Sequence, residues 1–104
     1  MSDTIVVLVT AGSEEDAARI GRALVEERLV ACANLVRSIR SIYRWEGRIS
    51  DEEEHLLVLK TRRARFADVE RRVRELHSYE VPEVIALDVT AGSEPYLEWI
   101  RRET

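Results

Sequence analysis

Residues 31–61, ACANLVRSIRSIYRWEGRISDEEEHLLVLKT, decide the fold. Two β-rich runs flank a turn at Glu46-Gly47, so the segment reads as one long antiparallel hairpin. The outgoing arm, Cys32 to Trp45, is mostly apolar in odd phase, with Arg37 and Ser41 interrupting. Val36 and Ile42 fall in the even phase, and a bulge or bend near Arg37-Ser38 reconciles the two halves. The returning arm holds Leu56-Leu57-Val58-Leu59 in unbroken succession, which places apolar side chains on both faces of a strand. Strands usually run to roughly five or six residues, so arms this long are expected to project past the body and pair with something else.

Working outward, Ile5 to Val9 is a continuous apolar run, the pattern of a strand buried on both faces. Thr10-Ala11-Gly12 turns it, and Ser13-x-x-Asp16 reads as a capping box. The helix that follows carries Ala17, Ile20, Gly21 and Leu24 as its buried stripe. After the hairpin, Phe66, Val69, Val73 and Leu76 at helical spacing predict a second helix. Asp68→Arg72 and Glu70→Arg74 are expected as i,i+4 pairs on its solvated face. His77 to Pro82 breaks that helix, Val84 to Val89 is a last core strand, and Ser93-Glu94-Pro95 opens a C-terminal helix. Thr10-Ala11-Gly12-Ser13-Glu14 recurs as Thr90-Ala91-Gly92-Ser93-Glu94. The repeat is either a pair of anion-binding helix starts or two junctions that need a flexible glycine and a serine cap.

The order β-α-β-β-α-β plus a helix predicts an α+β, ferredoxin-like sandwich with an extended central hairpin, residues 1–104 forming a single domain. Two helices cover one face of a four-stranded sheet. Strands apolar in both phases would leave several hundred Å² of contiguous apolar surface on the other, more than a monomer usually exposes. Patterning alone therefore predicts an oligomer.

Composition narrows the function. Sixteen basic and twenty acidic residues are interspersed for a net charge of −4, leaving no basic block for a phosphate backbone, so no nucleic acid is expected. No apolar run approaches the ~18 residues of a membrane span, and no membrane association is expected. Met1-Ser2-Asp3 leads straight into a strand without room for a cleaved signal peptide. Cys32 is the only cysteine, and a reducing cytoplasm is the default for such a chain.

Few residues offer chemistry. Cys32 is either a soft metal ligand or an inert, buried small residue. His77 either exploits the end of the second helix as an imidazolium or caps its last carbonyls. His55 adjoins the carboxylates Asp51 to Glu54. That run is either a hard-cation site or a solvated edge that resists aggregation, and alternation along a strand favours the edge. Tyr43, Trp45 and Tyr79, aromatics with polar handles, suit a pocket or a subunit seam. No nucleophile–base arrangement, phosphate loop or paired-cysteine motif occurs, so no enzyme activity is expected.

Ala31-Cys32-Ala33-Asn34, Ser41-Ile42-Tyr43-Arg44-Trp45-Glu46-Gly47, Leu59-Lys60-Thr61, His77-x-Tyr79-Glu80-Val81-Pro82-Glu83 and Tyr96-Leu97-x-Trp99 together resemble the CutA divalent-cation tolerance family, in order and over nearly the whole chain. The resemblance implies a ferredoxin-like homotrimer whose long hairpins pair between subunits. It further implies a cytoplasmic role in tolerance of copper and other divalent ions. Ser78 stands where the family usually has proline, and Arg37-Ser38 where it commonly has proline-glycine.

Three functional readings follow. In the first, Cys32, His77 and Glu80 hold copper, Cu(I) favouring the sulfur. The topology puts Cys32 and His77 at opposite ends of the sheet, so a shared ion would need ligands from different chains. In the second, clefts between subunits lined by Tyr43, Trp45, Lys60 and Tyr79, with Glu80, bind a small anion or metabolite. In the third, the trimer scaffolds another protein.

Overall fold

The computed structural model describes residues 3–104. Met1 and Ser2, on which the expectation about a leader rested, lie outside them. In chain order come β1 (Thr4–Ala11), α1 (Glu14–Glu26), β2 (Cys32–Trp45), β3 (Arg48–Arg62), a 3-10 turn (Arg63–Arg65), α2 (Phe66–Leu76), β4 (Ile85–Asp88) and α3 (Glu94–Glu103). The sheet is antiparallel throughout, in the order β2-β3-β1-β4, which is the ferredoxin-like arrangement.

Period-two alternation divides the sheet. Ile5, Val7, Val9 and Ala11 of β1 and Leu57 and Leu59 of β3 are buried on the helix side. They pack against Ala17, Ile20 and Leu24 of α1 and Val69 and Val73 of α2 in one core cluster. Ser13 caps α1 by accepting the Asp16 N–H at 3.1 Å, and Glu14, Glu15 and Asp16 fill the first turn, where the helix dipole favours them. On α2 the expected Asp68→Arg72 and Glu70→Arg74 pairs give way to other partners. Arg72 reaches across to Glu27 beyond α1 (2.9 Å) as well as to Glu75, and Arg71 lies between Asp68 and Glu75. A planar guanidinium gains more from the bidentate Glu27 geometry than from a neighbour on its own helix.

The repeated Thr-Ala-Gly-Ser-Glu segment serves two local needs. Ser13 caps its helix, whereas Ser93 makes no side-chain cap. Neither glycine adopts the left-handed conformation, which among the glycines falls to Gly47 alone (φ +78°). Each repeat glycine instead leaves room for a neighbour. A Cβ on Gly12 would stand 2.9 Å from the Tyr79 hydroxyl, and one on Gly92 3.0 Å from Leu97 Cδ2. Close approach is the requirement that the sequence did not disclose.

Gly47 and Glu46 (φ +49°) close the β2–β3 hairpin with both central residues in the left-handed region, the turn that matches strand twist. The bulge falls where alternation demanded it: Val36 pairs with Leu56 and Ile39 with Glu54, so Arg37 and Ser38 together oppose His55. Ser38 takes φ +60° there, and its N–H donates to His55 Nδ1 at 3.1 Å. His55 is 8% exposed; it is the pin of the bulge rather than part of a solvated acidic edge.

Beyond the bulge the arm pairs only with itself, from Ile39↔Glu54 to Trp45↔Arg48, and Ile42 (63% exposed) and Ile49 (62%) project bare. The second face of the sheet carries Val6, Leu8, Val58, Leu56, Ile85 and Leu87. α3 shields one end of it: Arg62 Nε donates to Thr104 Oγ1 (3.0 Å), and Tyr96 lies against Cys32. The other end stays open, with Ile85 half exposed and Leu87 at 53%. β4 is also shorter than the Val84–Val89 expectation, and no second strand flanks it.

Candidate functional site

The bulge determines what the root of the arm presents. By inserting one residue it turns Ile39, Ser41, Tyr43 and Trp45 onto the face shared by Leu56, Glu54 and Glu52. Tyr43 hydroxyl then donates diagonally to Glu52, while on the opposite face Arg40 grips Asp51 with both nitrogens (2.8 and 2.6 Å). The four carboxylates from Asp51 to Glu54 thus point alternately and do not converge. Glu54 turns inward, 6% exposed, and accepts the Tyr79 hydroxyl at 2.8 Å.

His77 fixes the facing wall. Its backbone N–H closes α2 on Val73 O (2.8 Å). Its Nε2 lies 2.7 Å from Thr10 O, and its Nδ1 accepts the Tyr79 N–H at 3.0 Å. A ring nitrogen that accepts an N–H keeps its lone pair, so the proton sits on Nε2 and the imidazole is neutral in this arrangement. The ring caps no carbonyl of its own helix; Arg19 Nη2 takes Leu76 O instead (3.0 Å). The imidazole latches the segment after α2 onto the end of β1 and packs on the Tyr79 ring, centroids 4.6 Å apart.

Between arm and segment lies a cleft of about 730 Å³, walled by Tyr43, Trp45 and Tyr79 and by the carboxylates Glu46, Glu54, Glu80 and Glu83. Arg40, also at its edge, is committed to Asp51. Burial, then the Glu54 charge, raises the Glu83 pKa above the ordinary carboxylate value. The sequence-expected aromatic trio therefore assembles, with Glu80 beside it. Lys60 does not join them. It pairs with Val6 and Cys32 two strands in, and its ammonium donates to Asn34 Oδ1 and stands 4.0 Å from Cys32 Sγ. Without Lys60 the cleft is acidic, which removes the charge a small anion would need.

Cys32 belongs to this other cluster, with Asn34, Lys60 and Tyr96. Its register row, that of Val6, is four residues from Thr10, so Cys32 and His77 are separated by about 13 Å along the strands alone. Among the described residues, no group of three His, Cys, Asp or Glu side chains is disposed to hold a metal ion. Three carboxylates of the cleft, Glu46, Glu54 and Glu83, are not among the cleft residues expected from the sequence. The signal that would have revealed Glu54 is alternation along β3, which puts it on the face of Leu56 and Glu52, the face to which the bulge in β2 brings Tyr43 and Trp45.

All three tyrosines are held above the ordinary phenol value. For Tyr43 the first cause is its hydrogen bond to Glu52; for Tyr79 it is burial, then Glu54; for Tyr96 it is burial, then Cys32. A phenol that the fold keeps protonated contributes stability that is complete below about pH 10 and is lost as pH rises through its folded-state value. Ultraviolet titration is expected to show no tyrosine ionising near pH ~10 in the native protein. Glu54→Gln is expected to lower the value of Tyr79 most and that of Tyr43 less, and to leave Tyr96 where it is. A parent curve with a phenol at the ordinary value contradicts the assignment.

The family model described as CutA1 divalent ion tolerance protein matches residues 5–103. The Divalent-cation tolerance protein CutA of Thermus thermophilus is 48% identical over 99 residues, covering 95% of this chain and 96% of that protein. Human Protein CutA is 47% identical over 96 residues, covering 92% of this chain and 54% of its own length, so the chain spans about half of that relative. Among solved structures, the divalent cation tolerance protein of Thermus thermophilus superposes with a TM-score of 0.95 at 48% identity, covering 97% and 98% of the two chains. CutA1 from Oryza sativa gives 0.96 at 40% identity, covering 99% and 94%. Sequence and backbone agree over nearly the full length: the chain belongs to the CutA1 divalent ion tolerance family.

Proposed function

We propose that this protein is a non-catalytic, cytoplasmic homotrimer that contributes to divalent-cation tolerance by binding copper weakly at or near its subunit seams. Family membership supports the cation role. The observation that carries the seam is the incomplete donor set: Cys32 and Glu80 lie in separate clusters, and both nitrogens of His77 are engaged. Ions held by two or three side chains then draw the rest of their coordination from a neighbouring copy or from water.

The half-covered sheet and the bare arm support assembly, since the exposed apolar side chains Ile42, Ile49, Ile85 and Leu87 require a partner surface. The cytoplasmic placement rests on the lone thiol. No helix among the described residues is long and apolar enough to cross a membrane. Relatives are named for other compartments, a periplasmic protein of Archaeoglobus fulgidus and a chloroplastic one of Arabidopsis thaliana.

Titration of the assembled protein with Cu(I) and Cu(II) tests the metal reading. Cys32→Ser is expected to remove Cu(I) binding, Glu80→Gln to weaken Cu(II), and His77→Ala to weaken Cu(II) if an ion displaces one of its two internal hydrogen bonds, while loosening the segment that carries Tyr79. Unchanged affinities in all three variants would take these residues out of the site.

A further inference from the structure

The geometry points to the cleft at the root of the arm as a site for an organic polyammonium ligand, a linear amine with at least two charged nitrogens. This assignment goes beyond cation tolerance and gives the cleft a ligand class of its own. Three observations carry it. The walls hold four carboxylates and a single cation, Arg40, already paired with Asp51. Glu54 is buried at the base and spends one oxygen on Tyr79; no hydrogen bond to its other oxygen occurs among the described residues. Tyr43, Trp45 and Tyr79 bring aromatic rings to the same cleft, where they suit ammonium groups and the methylenes between them.

A bare divalent ion fits less well. Such ions demand several converging oxygen or nitrogen donors, and among the described residues no three His, Cys, Asp or Glu side chains converge. A volume of about 730 Å³ suits a small organic molecule rather than an ion. The Glu83 value, raised first by burial and then by the Glu54 charge, agrees with a carboxylate lacking a counter-charge, which an ammonium would supply.

Spermidine is the probe, titrated calorimetrically into the full assembled protein at low and at high salt. The expected result is saturable binding, one equivalent per chain, weakened by salt and accompanied by a change in Trp45 fluorescence, read in a Trp99→Phe background. Glu83→Gln is expected to weaken it about three- to fivefold, as loss of one partly exposed charge pair would. Glu54→Gln should weaken it more. Should that variant fold poorly, Glu80→Gln tests the same charge from the exposed rim. The neutral diol 1,4-butanediol should not bind.

Absence of spermidine binding, as when a neighbouring copy's side chains fill the cleft, overturns the proposal. So does equal displacement of spermidine by Mg2+ alone at matched ionic strength, since a diffuse negative field would then suffice. Copper titration and sedimentation report separately on the metal and assembly readings, so this proposal can fail while those stand.

Discussion

Leu87→Asp is expected to sediment at micromolar concentration as a single 12.0 kDa chain, and the parent, as the proposed trimer, at three times that mass. Leu87 sits on the edge strand β4 opposite Val6, half exposed, on the part of the apolar face that α3 leaves uncovered. Fully burying a leucine contributes about 1.5–3 kcal/mol, and in the proposed trimer the loss would recur in every copy. The aspartate adds a carboxylate that would have to be desolvated if that face is covered by a partner. Within one chain the same substitution touches little: residue 87 points away from the α1–α2 core, so circular dichroism of the dilute variant should keep its helix and strand signal. Ile42→Asp at the bare arm separates two contributions to assembly. If it too dissociates the protein, the arm is part of the seam; if it leaves the mass unchanged, the sheet face suffices. A parent that sediments as one chain removes the assembly and the shared metal sites together.

The elements most legible in the sequence were those with strict period. The α1 stripe of Ala17, Ile20, Gly21 and Leu24 is buried as its spacing required, and the phase conflict in β2 announced the bulge at Arg37-Ser38. These signals are local, and local geometry is what periodicity encodes. The site was legible only in part. Tyr43, Trp45 and Tyr79 were found as a set because aromatic residues with polar groups are conspicuous, but their carboxylate partners were not. Glu54 looks like its neighbours in the run Asp51 to Glu54, and what singles it out is a distant partner: alternation along β3 faces it toward Tyr79 and faces Asp51 toward Arg40 on the other side. The sequence suggests Lys60 as a lining residue of a cleft between subunits. Register places it instead beside Cys32, four rows from Thr10. His77 was read as a helix cap, and its actual acceptor, Thr10, lies 67 residues away in the chain. Long-range pairing of that kind leaves no trace in spacing.

Leu59→Ala and Val58→Ala test the division of labour between the two faces from adjacent positions. Leu59 is fully buried on the helix side, opposite Val7 and Ala33, within the core cluster that joins both helices to the sheet. Its truncation leaves a cavity in a packed interior and is expected to cost about 2–5 kcal/mol of unfolding free energy. That corresponds to a Tm lower by on the order of 15 °C, with the association state unchanged. Val58, one residue earlier, points to the other face, opposite Leu8 and Asn34, and is only half buried by its own chain. If copies of the protein close that face, Val58→Ala loses about 1.5 kcal/mol of burial that exists only in the assembly. Its Tm deficit should then shift with protein concentration, since dilution removes the contact that the substitution weakens. The Leu59→Ala cavity lies inside one chain and remains at every dilution. Equal behaviour of the two variants would mean that the second face gains nothing from a partner. The contrast holds because neighbouring residues on one strand face opposite sides, so the pair share backbone, register and neighbours in sequence and differ in which surface they serve.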